Sequence, residues 1–280
     1  MSRKSSIYTA VALISLVIFM GLKLKLDQIP RQKVPGSSII YLPSGKYLQY
    51  ATFGYSSLLA DLIYIWAIQY YSNYDIPDRF QYLEHIFSII SVLDPHYLDP
   101  YELGSMIAIY EAHDAQLAFR LLEMGFEKNR QEWIFPYIAG HYAQMFLKDY
   151  QLARNYYKQA LAIEDSPPIL KRLYAHATYQ LGDYQTAWQN WLQIYQESQD
   201  ERIKKIALNH LYLVKSAMDK EKIETALRQF REKFGHFPHH LEELVYQGFL
   251  KEIPKDLDGR DYIYHKEEGT ISAPRSPWKR

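Results

Sequence analysis

Cysteine is absent from all 280 residues. That excludes disulfides, thiolate nucleophiles and the common structural zinc sites, which depend on sulfur ligands. Net charge is absent too, because Lys plus Arg and Asp plus Glu are both 32. No overall basic field draws in a phosphate backbone, so a nucleic-acid partner is not expected. The motifs His-Glu-x-x-His, Gly-x-Ser-x-Gly and Gly-x-Gly-x-x-Gly do not occur. Gly45-Lys46 fails as a phosphate loop: the position needing the first glycine holds Ile40, and Tyr47 follows the lysine. His236, His239 and His240 cluster with Glu242 and Glu243, but histidines in a turn ahead of a helix are ordinarily solvated. Neither a catalytic residue, a cofactor nor a metal is expected, and the chain reads as a non-enzyme.

What is present is apolar and aromatic. Apolar residues make up 48%, charged residues 23%, and tyrosine alone occurs 26 times. Such a chain folds rather than staying disordered. Tyrosine suits helices packed on helices with wet edges, since its ring buries while its hydroxyl finds a partner.

Residues Ile7 to Leu22 are uncharged and strongly apolar, and Ser5 and Ser6 extend the uncharged run to 18 residues. A membrane-crossing helix needs about 20, with a lower limit near 17, and flanking Lys23 and Lys25 can snorkel. Residues 1–25 are therefore expected to form an N-terminal transmembrane helix touching the lipid bilayer through residues 7–22. The alternative is a cleaved signal peptide, but no small-x-small site closes the run. Basic residues flank both sides, and the short basic N-tail favours a single-pass topology with the body outside the cytoplasm. Residues 26–49, with Pro30, Pro35, Gly36, Pro43 and Gly45, read as a linker holding a short extended piece at Ile39–Leu42. Leu58–Tyr71 is apolar nearly all round but interrupted by Asp61 and Gln69; it reads as a buried helix, with Asp61 a satisfied buried acid.

The middle of the chain carries a period. Asp149-Tyr150-Gln151-Leu152-Ala153 and Asp183-Tyr184-Gln185-Thr186-Ala187 stand 34 apart, and Tyr157 meets Trp191 at the same offset. Asp114-Ala115-Gln116-Leu117-Ala118 is a third copy, and Phe80, Leu83, Phe87 and Ile90, ending in Leu93-Asp94-Pro95, a weaker fourth. This pattern resembles the tetratricopeptide repeat. The resemblance rests on Gly182-Asp183-Tyr184, Lys148-Asp149-Tyr150, the small residues Ala118, Ala153, Ala160 and Ala187, and the ending prolines Pro95 and Pro167-Pro168. It implies stacked helix hairpins across residues 50–218, with alanines where paired helices approach closely. The family's tryptophan-leucine-glycine signature in the first helix is missing, and Gly140 sits one position off.

After about Met218 the repeat stops. Ile223, Leu227, Phe230 and Phe234 mark an amphipathic helix with Asp219 as its cap and Gly235 as its end. A short helix at Leu241–Tyr246 and a hairpin around Tyr262–Tyr264 and Thr270–Ser272 come next, so residues 219–280 read as a small α+β cap. Phe237-Pro238, Leu241-Glu242-Glu243-Leu244, Gly248, Pro254-Lys255-Asp256 and Gly259 look like the tail of type II secretion major pseudopilins; the pseudopilin N-terminal signature is absent. The layout as a whole is similar to membrane-associated repeat proteins of bacteria, which implies the inner membrane and an envelope complex.

The fold expected is thus all-α: a transmembrane helix, a tetratricopeptide-like α-solenoid and a small α+β cap. In such solenoids the first helices line a groove. Repeat counting places Ile107, Tyr110, Glu111, Tyr142, Met145, Arg172, His176 and Tyr179 there, a wall suited to gripping a peptide or helix; the alternative is that several pack on neighbouring helices. The function expected is a non-catalytic, membrane-anchored scaffold that binds protein partners during assembly of an envelope complex. The alternatives are a permanent structural subunit and a glycan-active enzyme, which needs a carboxylate-lined cleft.

Overall fold

The computed structural model describes residues 3–27 and 42–278. Among them the chain is mostly helical, with one two-stranded sheet. The first helix, α1 (Arg3–Asp27), forms, but no helix among the described residues is long and apolar enough to cross a membrane. The expected transmembrane helix is therefore corrected. Its uncharged stretch rises only about 27 Å at 1.5 Å per residue, short of the roughly 30 Å hydrocarbon core. Ser5, Ser6, Thr9 and Ser15 dilute it, and Lys23, Lys25 and Asp27 close it. Most of the expected linker, with its extended piece up to Tyr41, lies outside the described residues.

The linker's C-terminal end is helical. Helix α2 (Gly45–Ala51) packs on α4 (Leu83–Leu93), and a Cβ on Gly45 would lie 2.7 Å from the Val92 Cβ. Between them runs α3 (Ser56–Tyr71), which buries Ala60, Ile63, Ala67, Tyr70 and Tyr71 against α4. Its opposite face is open: Leu58 and Leu62 are each 56% exposed and Ile65 is 54%. Asp61 is exposed with them, so the expected all-round burial of this helix and its acid does not hold. Among the described residues the helix has neighbours on one side only, because it stands at one end of the stack.

From α3 onward the helices pack in chain order. The pairs are α5 (Leu98–Met106) with α6 (Ala115–Lys128), α7 (Ile134–Tyr142) with α8 (Tyr150–Leu161), and α9 (Ile169–Gln180) with α10 (Tyr184–Glu197). The last is closed by α11 (Glu201–Phe234), giving a solenoid-like array. Each second helix opens on an aspartate whose carboxylate accepts a backbone N–H: Asp114 from Leu117 at 2.9 Å, Asp149 from Leu152 at 2.9 Å and Asp183 from Thr186 at 3.3 Å. Such caps satisfy amide groups that the helix start leaves without a partner. The residue before each cap is left-handed: His113 at φ 55, Lys148 at φ 54 and Gly182 at φ 76. Ala118, Ala153, Ala160 and Ala187 are fully buried, as a close helix crossing demands.

The first helices make their close approach with glycine. A Cβ on Gly104 would sit 2.9 Å from the Phe87 ring, and one on Gly140 would sit 2.6 Å from the Tyr157 ring. Both helices then end in a π-helical turn, Ile107–Glu111 after α5 and Ala143–Leu147 after α7. A π turn inserts a residue and so rotates the side chains beyond it about the helix axis.

Helix α11 runs unbroken through the expected boundary at Met218. Asp219 is not a cap but a buried acceptor within the helix, taking bonds from Tyr262 Oη at 2.6 Å and Lys215 Nζ at 2.8 Å. Gly235, at φ 81, ends the helix. Its C-terminal half buries Ile223, Ala226, Leu227 and Phe230 beneath α12 (Glu242–Tyr246) and the hairpin of β1 (Ile263–His265) and β2 (Thr270–Ser272). The strands are antiparallel, with Tyr264 opposite Ile271. Tyr212 Oη donates to Asp256 at 3.0 Å, tying the loop ahead of the hairpin to α11. A 34-residue helix is thereby shared between the array and its C-terminal unit.

Candidate functional site

The first helices α3, α5 and α7 form one wall of the molecule, and a cavity of about 420 Å³ opens along it. It is lined by Tyr64 of α3, by Asp99, Glu102, Leu103 and Met106 of α5, by Tyr110 of the π turn, and by Tyr137, Ile138, His141 and Tyr142 of α7. Asp99, Glu102, Met106 and Tyr110 succeed one another at helical spacing of three and four, so they share one face.

The aromatic rings are locked against one another. Tyr110 stands edge-on to Tyr142, with centroids 6.2 Å apart, and edge-on to Phe146 at 4.9 Å. Tyr64 stands edge-on to Tyr97 at 5.2 Å. Tyr142 is buried, and its hydroxyl lies 3.4 Å from Ser105 Oγ. Tyr110 remains 50% exposed and Met106 47%, so the groove offers apolar surface that no described residue covers.

Its electrostatics are negative. No Lys or Arg lines the cavity, and neither Asp99 nor Glu102 has an ion-pair partner among the described residues. Burial raises the Glu102 carboxyl above its ordinary value, and the charges of Asp99 and Glu132 raise it further. Burial, then Asp99, Tyr97 and Glu102, push the Tyr64 hydroxyl up to about 12. Burial lowers the His141 imidazole below its ordinary value, which disfavours a positive charge there.

Of the eight residues expected in the groove, Tyr110 and Tyr142 line this cavity. Ile107 is 4% exposed and belongs to the core. Glu111 turns away to pair with Arg79 at 3.1 Å. Met145, in the second π turn, is exposed but outside the cavity. Arg172 lines a separate hollow with Pro167, Pro168 and Glu197. His176 packs edge-on to Tyr150 and His210, and Tyr179 lies against Tyr184. The eight thus do not share one surface.

Tyr64, Asp99, Glu102, Leu103, Met106, Tyr137, Ile138 and His141 escaped the sequence reading. Counting back from Tyr110 in threes and fours reaches Met106, Leu103, Glu102 and Asp99, so their helical period was available. Counting forward fails: Glu111 pairs with Arg79, and Met145 in the second π turn does not reach the cavity. Among the described residues a second open surface comprises Tyr47, Tyr50, Phe53 and Tyr55 with the exposed face of α3; Phe53 is 91% exposed. Comparison with family models, with curated proteins and with solved structures finds no match to this chain.

Proposed function

We propose that the chain is a non-catalytic, tetratricopeptide-like scaffold that binds a protein partner in the groove along α3, α5 and α7. The observation that carries this reading is the groove itself, with rings fixed by mutual packing and half-exposed Tyr110 and Met106 at its mouth. Rigid aromatic and methionine surface anchors a partner side chain at little entropic cost. An acid–base enzyme fits less well. Asp99 and Glu102 stand three apart on one helix face, whereas hydrolysis of a glycosidic bond needs carboxylates facing each other across it. This reading requires no membrane-crossing helix.

A photo-crosslinking amino acid at Met106 tests the proposal in cells, with Lys158 of α8 as the exposed control away from the groove. A discrete cross-linked product is expected from Met106 and not from Lys158. Equal products from both positions, or products from Lys158 alone, refute it. A permanent structural subunit is the second reading, favoured by the bare aromatic surface of α2 and α3. It requires that the chain never be recovered free of its complex under native extraction.

A further inference from the structure

We infer that the groove is selective for a cationic partner: it takes a Lys or Arg side chain of an extended peptide between its tyrosines and its unpaired carboxylates. The inference rests on the scaffold reading and names the chemistry of the partner.

Three observations converge on it. The carboxylates of Asp99 and Glu102 line the cavity without a cationic partner among the described residues, whereas three other acids of the array each hold one. Glu111 holds Arg79 at 3.1 Å and Asp183 holds Arg154 at 3.4 Å. Asp219 holds Lys215 at 2.8 Å. Second, the like charges of Asp99 and Glu132 act on Glu102 with nothing opposing them, so a cation entering the groove relieves repulsion as well as gaining attraction. Third, the surrounding walls are tyrosine faces and edges, and ring faces attract ammonium and guanidinium groups. The molecule already uses this pairing for itself. The Arg79 guanidinium lies 4.5 Å from the Tyr74 ring centroid and 4.3 Å from that of Phe80, with Glu111 as its counter-ion. The groove repeats this set of rings and carboxylate with the cation missing.

An anionic or purely apolar segment fits poorly. An acidic side chain meets two carboxylates, and an apolar one leaves them desolvated and unpaired, which costs more than the contact returns. Leu103, Ile138 and Met106 remain to hold the flanking apolar residues of the peptide.

The test uses full-length protein and three synthetic decapeptides that alternate leucine with a variable residue, which is Lys, Gln or Glu. Affinities are read by fluorescence anisotropy at physiological salt. The Lys peptide is expected to bind at least about tenfold tighter than the Gln peptide, the gain of one well-placed cation. The near-isosteric pair Asp99→Asn and Glu102→Gln should erase that preference. The pair Glu123→Gln and Glu127→Gln, in a separate hollow lined by α6, α7 and α8, should leave it intact. A preference that survives the Asp99 and Glu102 changes, or falls equally with the Glu123 and Glu127 changes, overturns the inference as mere surface attraction. Tighter binding of the Gln or Glu peptide, sensitive to Tyr110→Ala, overturns the cation assignment and leaves the scaffold reading standing. If no peptide binds while Met106 still cross-links a partner, the assignment falls alone; if Met106 cross-links nothing, both fall.

Discussion

Replacing Gly140 by alanine sets two physical effects against each other and so tests the helix pairing sharply. Gly140 lies in the interior of α7, where alanine is intrinsically better by about 1 kcal/mol. The added methyl would fall 2.6 Å from Cε1 and 2.7 Å from Cδ1 of Tyr157. Tyr157 cannot swing away. It is fully buried, and its hydroxyl donates to Gln144 Oε1 at 3.1 Å. Either α7 and α8 must separate or the ring must leave its rotamer, at a cost of about 1–3 kcal/mol and at times more. The steric cost should win, giving a net loss of up to about 2 kcal/mol, or up to roughly 8 °C in Tm. A double-mutant cycle isolates the contact. In a Tyr157→Leu background, itself destabilised by its cavity, Gly140→Ala should become neutral or stabilising. Thermal melts monitored by circular dichroism read all four proteins. A raised Tm for Gly140→Ala alone, or identical effects in both backgrounds, would refute the close approach.

Other contacts give three further outcomes. Lys148→Gly should stabilise by about 0.5–1 kcal/mol, because Lys148 at φ 54 pays a left-handed penalty that glycine avoids; a lowered denaturation midpoint contradicts this. Glu111→Ala should cost about 1–3 kcal/mol, since it strips the counter-ion from an Arg79 side chain only 11% exposed, and urea titration measures it. His210 stacks on Trp191 with centroids 4.0 Å apart, and burial, then the charges of His176 and Arg172, lower its pKa to about 4. Its folded value lies below the unfolded value of about 6.5, so its contribution is full above pH 6.5 and is lost as pH falls towards 4. His210→Phe should keep the stack and flatten that part of the Tm-against-pH curve; an unchanged slope counts against the assignment.

The second helices were legible because their needs are local. A capping aspartate, a small residue at the crossing and an aromatic beside it recur at fixed spacing, and Asp114, Asp149, Asp183, Ala118, Ala153 and Ala187 occupy those roles. The first helices were harder to read. Gly104 and Gly140 replace the missing signature at a spacing of their own, and the π turns then rotate the helix ends. Asp99, Glu102 and Tyr137 precede those turns and were missed because the counting ran forward from Ile107 and Tyr142 instead of back along α5 and α7. Asp219 misled in a different way: its type suits a helix cap, but its partner Tyr262 is 43 residues on, and no local pattern announces that bond. The apolar run of α3 showed hydrophobicity but not that one side of the helix lacks a neighbour among the described residues. In α1 the apolar run was real, but its length and polar content fall short of a membrane crossing among the described residues.

The groove's role is tested most directly by affinity, once the protein cross-linked at Met106 has been purified. Its Kd for full-length wild-type chain is compared with that for a Tyr110→Ala, Met106→Ala double variant and for a Lys158→Ala control. Loss of two half-exposed anchors should weaken binding by at least about tenfold, at the usual 1.4 kcal/mol per decade, while the control stays within about twofold. Equal affinities for all three proteins would show that the partner docks elsewhere and would contradict the account.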